Sequence, residues 1–270
     1  MAVAPNVPTM SGDKPKSTSQ QGPKLTKAKR SRKRKAKPPR LVDRILAPYR
    51  WLVKWAFRGV LLAIVLSVVI VGLFGFVNPP TNHTMWSEGR RLAEPVDQTW
   101  VSADQIAPVM FRSAVAAEDA NFCLHWGFDV DAIQAAIEAG GARGASTISQ
   151  QVVKNVFLWQ GRSWVRKGFE AALTPLVEAL WTKRRILEVY LNIAELDEGV
   201  FGVQAAAVHY FGVDARDLSP TQAARLAAVL PSPKTRSASQ PSNFVQRRSA
   251  SIRAGAETIN VDGRADCFQG

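Results

Sequence analysis

The sequence has few residues that bind metals and few signals for strands. Its 270 residues include 3 His and 2 Cys, none of them spaced as in zinc sites. A structural metal is therefore not expected. Neither a Gly-x4-Gly-Lys-Ser/Thr loop nor a Gly-x-Gly-x-x-Gly fingerprint occurs, which disfavours a nucleotide-sugar donor. Strand patterns are rare, with Trp100-Val101 the best candidate, so we predict a mainly α-helical protein.

Positive charge is concentrated at the N-terminus. Residues 1–58 hold 16 Lys/Arg and 2 Asp, whereas the remainder is close to neutral. The first 40 residues are rich in Pro, Ser and Lys and carry too little apolar surface to offset chain entropy. We predict a basic disordered tail over 1–50.

One long apolar run follows the tail. Gly59 to Val77 is 19 residues without a charge, and at 1.5 Å per residue it spans roughly 28 Å, close to the thickness of a bilayer core. Trp51, Trp55 and Trp86 flank it where an aromatic belt would lie. A core helix or a signal peptide would be shorter. We predict a single uncleaved anchor over 51–78, with the N-terminus in the cytoplasm and residues 79–270 outside.

Helical periodicity begins after a predicted linker over 79–102. Helical patterns cover Asp129–Glu138, Gln150–Leu158, Val165–Trp181 with a kink at Pro175, Lys183–Leu196, Gln204–Phe211 and 220–230. Ser219-Pro220-Thr221-Gln222 is a capping box, and Gly212 is a plausible helix-ending glycine. The predicted helical domain spans 103–232, followed by an irregular extension over 233–270. The external cysteines, Cys123 and Cys267, could either pair or remain free.

Glu118 and Asp119 are the first candidates for chemistry. Adjacent acids usually lie on a solvated surface, but this pair ends an apolar helical stretch. Glu118 would share a helix face with Phe111 and Ala114, so burial should raise its pKa. Such a carboxylate suits a general base that deprotonates a sugar hydroxyl. His125 is more typical of a structural hydrogen-bonding residue.

Small residues, hydroxyls, amides and a cation occur together between Arg143 and Asn155. Gly140, Gly141, Gly144 and Ala145 would allow close backbone approach to a phosphate. The alternative is a flexible loop followed by an ordinary helix capped by Ser146 or Thr147. Helix N-termini attract anions, which favours anion binding. The candidate binding residues are Ser146, Thr147, Gln150, Gln151, Lys154 and Asn155.

Two further clusters are cationic. Arg166 and Lys167 with Glu170 could form an exposed ion pair or hold a phosphate. Lys183-Arg184-Arg185 would oppose the dipole of its own helix, so an anionic partner such as pyrophosphate or lipid headgroups is a better explanation.

These blocks, in this order, closely resemble the peptidoglycan glycosyltransferases of family 51, particularly the short monofunctional type. Glu-Asp-x-x-Phe-x-x-His-x-Gly is matched by Glu118, Asp119, Phe122, His125 and Gly127. The Gly-to-Asn block is matched from Gly144 to Asn155, with Ala145 and Ser149 as small departures. Further matches are Arg166, Lys167 and Glu170, then residues 186–192 and 199–212. The resemblance runs from about Arg112 to Leu230.

The resemblance implies a lysozyme-like helical catalytic domain with a smaller membrane-facing lobe. It implies polymerisation of lipid II into a nascent glycan strand, with Glu118 and Glu170 as catalytic residues. Substrate contacts are expected from Asp119, Phe122, Lys154, Arg166, Lys167 and Lys183. The resemblance assigns no cofactor; Mg²⁺ or Mn²⁺ at the pyrophosphate is the candidate, and the requirement for a metal stays open. Cell-wall synthesis machinery is a candidate partner, and nucleic acid is not.

Two alternatives remain. A lytic enzyme of similar fold would use its glutamate as an acid, and its uncharged leaving group would not require cations at 154, 166 and 167. An anchored interaction protein is supported only by the basic tail. A transpeptidase is disfavoured because Ser11 and Lys14, in Ser-x-x-Lys spacing, lie in the tail and Lys234-Thr235 precedes Arg236 rather than Gly.

Overall fold

A computed structural model describes residues 41–140, 144, 146–161 and 163–269. The tail residues 1–40, and with them Ser11 and Lys14, lie outside the described residues, as do Gly141–Arg143 and Ala145 of the glycine-rich block. The chain divides into two compact units, Met1–Lys54 and Trp55–Gly270.

The first helix is long and apolar. Helix α1 is Leu41–Phe74, and its part Pro48–Phe74 contains an 18-residue window with a mean hydropathy of 2.6, of which 6% is buried. Within the described part of the chain it is the one helix long and apolar enough to cross a membrane. It ends at Phe74, before the predicted limit at 78, because the chain turns at Gly75.

The last turn of α1 and the residues after it are held by two side chains from later in the same unit, Trp55–Gly270. The indole Nε1 of Trp181 donates to Val71 O at 2.7 Å, and Arg185 donates to Phe74 O and Val77 O. Phe74 O is one of the carbonyls that a helix C-terminus leaves without an intrahelical partner. The C-terminal part of α1 is therefore joined to the rest of its unit by hydrogen bonds from side chains.

The remainder is mainly α-helical, which confirms the predicted fold class. The helices after α1 are α2 His83–Leu92, α3 Pro108–Glu118, α4 Val130–Glu138, α5 Ile148–Phe157, α6 Trp164–Leu180, α7 Lys183–Ile193, α8 Val203–Phe211, α9 Pro220–Val229, α10 Asn243–Val261 and α11 Asp266–Gln269. Strands β1 Asp97–Gln98, β2 Glu195–Asp197 and β3 Val200–Phe201 form a small sheet of order β1-β3-β2, with β1 parallel and β2 antiparallel to β3.

Local signals set several helix boundaries as predicted. Ser219 and Gln222 form the capping box of α9, and Gly212 ends α8 in the left-handed region at φ 66°. Asp129 caps α4, its Oδ1 accepting from Ala132 N at 2.9 Å. Helix α6 continues through Pro175. Each boundary depends on residues within one turn of the helix end.

Three predicted segments differ from the structure. The linker over 79–102 contains α2 and β1, and the helix predicted to reach Leu196 ends at Ile193 before β2. Trp100-Val101 is not a strand. The side chain of Asn192 accepts from Val101 N at 2.8 Å and donates to Val101 O at 2.9 Å, so it satisfies the backbone groups that a neighbouring strand would otherwise bond.

The extension over 233–270 was predicted to be irregular. It instead carries helices α10 and α11. Ser242 caps α10, whose buried residues Val245, Ile252, Ala256 and Ile259 recur at helical spacing. Helix α10 packs against α3 and α9. Gly255 permits this approach, since a Cβ there would lie 3.3 Å from Ala116 Cβ. The buried face of α10 carries a large apolar side chain only every seven residues, at Val245, Ile252 and Ile259, so its hydrophobic pattern is sparse and did not reveal the helix.

A disulfide joins Cys123 to Cys267 across 144 residues of sequence. Beside it, the buried ring of Phe268 contacts Phe122, with centroids 6.4 Å apart. Arg264 Nη1 also donates to Ala120 O at 3.1 Å. The C-terminus is thereby attached to the loop that follows Glu118, so the two external cysteines pair.

Candidate active site

Glu118 is the last residue of α3 and lies at the edge of a polar cleft. Its side chain is 15% exposed, and its Oε2 accepts a hydrogen bond from Gln151 Nε2 at 3.1 Å. Burial raises the pKa of Glu118, while Gln151 and the charge of Arg248 oppose the rise. The direction confirms the prediction from sequence, and a carboxyl with a raised pKa is suited to proton transfer near neutral pH.

Asp119 is buried and bonds to other parts of the protein. Its Oδ1 lies 2.8 Å from His125 Nε2, and its Oδ2 accepts from Ile148 N at 3.0 Å. The carboxylate thus meets the first backbone N–H of α5, where a negative charge stabilises the helix. Asp119 therefore joins the two motif blocks. The contact with Asp119 supports the interpretation of His125 as a residue that holds the fold by hydrogen bonding.

The start of α5 is a capped helix. Thr147 Oγ1 accepts from Gln150 N, Gln150 Oε1 accepts from Thr147 N, and Thr147 Oγ1 donates to Gly127 O at 2.7 Å. Both side chains are almost wholly buried. The substrate contacts predicted for Thr147 and Gln150 are therefore not available, because their polar atoms build the capping box and the loop contact.

Phe122 and Lys183 are also interior residues. The ring of Phe122 is fully buried, and the Lys183 ammonium lies 4.2 Å from its centroid. Lys183 Nζ also contacts Glu178 Oε1 at 2.9 Å and donates to His125 O at 2.8 Å. The Phe122 ring presents no surface to the cleft in this structure, and the substrate contact predicted for it stays a prediction. Lys183 holds the loop around His125 instead of binding an external anion.

The rest of the basic turn that begins α7 is also paired internally. Arg184 Nη2 contacts Asp104 Oδ1 at 2.5 Å, and Arg185 Nη1 contacts Glu188 Oε1 at 2.7 Å. The partners of these cations therefore lie within the protein. They are carboxylates, together with the carbonyl oxygens of Phe74 and Val77 near the end of α1.

The polar cleft lies between α5 and α7. It is lined by Thr84, Gln151, Lys154, Asn155, Gln160, Tyr190, Ile193, Ala194, Glu195, Phe201, Leu230 and Pro233. Gln151, Lys154 and Asn155 follow at i, i+3 and i+4 and share one face of α5. Tyr190 is buried at its base, and burial together with the nearby Glu118 and Asp119 raises its pKa well above the usual range, so it remains protonated.

Lys154 is the cation of this cleft. Its ammonium has no hydrogen-bond or ion-pair partner among the residues that the structure describes. Burial lowers the pKa of Lys154, as do Arg166 and Lys167, whereas Glu170 and Glu118 raise it. The charges of Glu118 and of the cluster around Glu170 both act on the Lys154 ammonium, which lies one turn of α5 from Gln151, the side chain that bonds Glu118. A half-buried ammonium without a protein partner is suited to binding an anionic ligand.

Arg166 and Lys167 lie on either side of the buried carboxylate of Glu170. Arg166 Nη1 donates to Glu170 Oε2 at 2.8 Å, and Lys167 Nζ contacts Glu170 Oε1. Lys167 is 41% exposed and its ammonium also lies 3.4 Å from the exposed Ser146 hydroxyl. Two cations to one carboxylate leave an excess of positive charge. Glu170 pairs with both cations, and its side chain is 3% exposed.

Sequence reasoning missed the residues that reach the site from the C-terminal part. Arg248 of α10 lies 3.7 Å from Glu118, and Arg236 also acts on it electrostatically. Lys234 contacts Glu88 and Glu195 on another side of the cleft. The helical pattern of α10 could have indicated Arg248, since it lies one turn from the buried Val245 and Ile252.

A metal does not fit the described cleft. The carboxylate among its lining residues is Glu195, which contacts Lys234 at 3.5 Å, whereas Mg²⁺ or Mn²⁺ prefers several oxygen ligands. Elsewhere, Asp119, His125 and Asp129 come within 4.8 Å of one another. Their carboxylate oxygens and His125 Nε2 are already hydrogen-bonded within the protein, to Ile148 N, to each other and, from Asp129, to Ala132 N and Asn121, while the buried His125 Nδ1 has no partner among the described residues. We derive no catalytic step through a metal.

The described chain thus combines a helical domain that follows an apolar helix with a shielded glutamate beside a cationic cleft. Residues 87–255 match the family model described as Transglycosylase, and the chain belongs to this family. The matched stretch includes most of α10 and extends beyond both ends of the resemblance read from the motifs.

Several curated relatives share most of the chain. A "Biosynthetic peptidoglycan transglycosylase" of Jannaschia sp. (strain CCS1) is 55% identical over 241 residues, covering 89% of this chain and 99% of the relative. Proteins of the same name from Pseudomonas fluorescens (strain SBW25) and Xanthomonas campestris pv. campestris (strain B100) are 51% and 46% identical, covering 73% and 85% of this chain and 86% and 95% of each relative. The chain is accordingly an enzyme of the glycosyltransferase class.

Proposed function

We propose that this enzyme polymerises lipid II into β-1,4-linked peptidoglycan strands and releases undecaprenyl pyrophosphate. The observation that carries the proposal is the Lys154 ammonium in the cleft, which has no partner among the described residues and lies one turn of α5 from Gln151, the side chain that bonds Glu118. One shielded carboxyl beside several cations matches a reaction that needs one base and produces a diphosphate. The names of the curated relatives support the assignment to peptidoglycan synthesis.

Glu118 acts as the general base. The 4-hydroxyl of one lipid II molecule attacks the anomeric carbon of the growing chain, forming a new C–O bond while its proton passes to a Glu118 oxygen. A sugar hydroxyl is a poor nucleophile, and a positioned base typically contributes ~10²–10⁴-fold to the rate. The hydrogen bond from Gln151 to Oε2 fixes the carboxylate and leaves Oε1 for the proton. A single displacement inverts the anomeric centre.

The cations stabilise the leaving group. As the bond from the anomeric carbon to the pyrophosphate oxygen breaks, its electron pair and negative charge remain on the pyrophosphate. Preorganised cations aimed at developing charge contribute strongly in a shielded site. Lys154, Arg166 and Lys167 provide this charge, and Glu170 holds the last two in place. Gln151, Asn155 and Ser146 are candidates for hydrogen bonds to the sugars.

The charge distribution supports one orientation of the enzyme in the membrane. The basic segment before Gly59 favours a cytoplasmic N-terminus, with α1 crossing the inner membrane and the catalytic domain in the periplasm. Lipid II and the nascent glycan would then meet the cleft at the outer face of that membrane. Proteins of the cell-wall synthesis machinery are candidate partners.

The direct test is polymerisation by the purified protein. Detergent-solubilised full-length chain should convert labelled lipid II into long glycan, and muramidase should digest the product back to disaccharide units. The lytic alternative predicts cleavage of preformed glycan instead. Intact lipid II after incubation, or glycan cleavage alone, would refute the proposed reaction.

A further inference from the structure

Glu118 stands in an electrostatically unfavourable position for a carboxylate. It is the last residue of α3, where the helix dipole is negative, and Asp119 follows directly. Burial, together with Asp119, raises the pKa of Glu118. A general base must be ionised before it can accept a proton, and these factors lower the ionised fraction of Glu118 at a given pH.

Arg248 lies where its positive charge can offset the effects of burial, of Asp119 and of the α3 dipole on Glu118. Its Nη2 lies 3.7 Å from Glu118 Oε1 and donates to Ala117 O at 3.3 Å. The guanidinium therefore contacts both the carboxylate and one of the last carbonyls of α3, the end of a helix at which a cation is favourable. Among the described residues, Arg248 is the one ion-pair partner of Glu118.

The other charged groups near Glu118 do not replace this contact. Arg236 acts on it from a distance, and its Nη1 is bonded to Ala228 O at 3.0 Å. Gln151 donates a hydrogen bond to Glu118 but carries no charge, and the raised pKa of Tyr190 keeps its phenol protonated and neutral. The titratable or charged groups facing Glu118 are thus Asp119 beside it, Lys154 on α5, Tyr190 on α7, Arg236 after α9 and Arg248 on α10.

We infer that Arg248 is a positioning residue for the reaction, and that its guanidinium keeps the Glu118 carboxylate ionised and turned toward Gln151. The inference rests on the proposed function for its catalytic consequence. Arg248 is supplied by the segment predicted to be an irregular extension, 131 positions from Ala117, whose carbonyl it bonds. Helix α10 therefore completes the active site as well as the core.

The test is the pH dependence of variants that differ only in this charge. Removing the cation by Arg248→Gln raises the pKa of Glu118, so activity falls at low pH and recovers as the pH rises. We expect the acid limb of kcat/KM on lipid II to move up by about one pH unit, the lower end for an opposite charge at this distance. Arg248→Lys should move it less. Arg248→Met, which keeps the aliphatic stem, is the second neutral variant if the Gln variant folds poorly.

Arg247→Gln is the matched control, because it removes the same charge from the exposed neighbouring position on α10. Its acid limb should coincide with that of the unmodified enzyme. An unmoved acid limb in the neutral Arg248 variants, or an equal shift in Arg247→Gln, would overturn the inference.

A second measurement separates this inference from the proposed function. Carbon-13 NMR titration of labelled glutamate in the full chain, with Glu118→Gln used to assign the signal, reports the ionisation of Glu118 directly. A higher midpoint in Arg248→Gln supports the inference whether or not Glu118 is the base, and an unchanged midpoint overturns it. Native turnover by Glu118→Gln would refute only the proposed role of Glu118.

Discussion

Asp119 Oδ2 accepts a hydrogen bond of 3.0 Å from Ile148 N, the first residue of α5. This contact links the loop after the proposed base to the helix that presents Gln151 and Lys154. Two motif blocks that are separate in sequence are therefore one rigid unit in space, in which the position of the base relative to the cations is set by Asp119.

Replacing Asp119 with Asn should impair the enzyme through this contact. The amide oxygen can accept only one of the two bonds from His125 and Ile148, and the charge at the start of α5 is lost. We expect a smaller loss of turnover than for Glu118→Gln, together with a lower melting temperature. Parallel activity assays and thermal melts would show it, and an unchanged melt with a full loss of activity would indicate a direct chemical role.

The cationic cluster should act on the diphosphate. Lys167→Ala removes an exposed ammonium while Arg166 still pairs with Glu170, so we expect a large fall in turnover with little change in circular dichroism. Arg166→Ala should also reduce turnover, with some loss of stability because Glu170 is buried. Arg216→Ala, on an exposed turn after α8, is the control. Near-native turnover in both cluster variants would mean that these charges serve only the fold.

The disulfide should stabilise the loop that carries the proposed base. Cross-linking positions 144 apart removes much conformational freedom from the unfolded chain, which in the chain-entropy model contributes a few kcal/mol. The double variant Cys123→Ser/Cys267→Ser should melt at a lower temperature than the oxidised enzyme, and reductant should lower the melting temperature only of the latter. Two alkylatable thiols in unreduced peptides would show that the pair is not bonded.

The topology can be tested with reporters. A periplasm-only reporter fused after Val101 and a cytoplasm-only reporter fused after Gln20 should both be active, because the positive flank of α1 is retained inside. Deleting residues 1–40 should leave turnover of lipid II by the solubilised enzyme nearly unchanged, since α1 already provides the anchor. Reversed reporter activity would place the catalytic domain on the wrong side for glycan synthesis.

Short-range signals predicted much of the fold. Capping residues such as Ser219 and Asp129, and the glycine at 212, act within one helical turn, so they can be recognised without tertiary information. Helix α10 was missed because its buried face carries a large apolar side chain only every seven residues, with Ser249 and Ala256 between them. The strand predicted at Trp100-Val101 failed because a single distant side chain, Asn192, satisfies its backbone.

Part of the candidate site was also predicted from the sequence. Gln151, Lys154 and the Arg166–Glu170 cluster are brought to one region with Glu118, as the motifs indicated. Motif residues can equally serve the fold, and Phe122, Thr147 and Gln150 do so by burial or capping. Arg248 could not be placed beside Glu118 from sequence, since only the packing of α10 on α3 brings them together.

The most direct test of the account is polymerisation of lipid II by Glu118→Gln. The amide keeps the size of the side chain and can still accept the bond from Gln151, but it cannot take the proton. Turnover should fall by ~10²-fold or more while binding of lipid II is retained. Polymerisation at a near-native rate would contradict the central claim and would place the base elsewhere in the cleft.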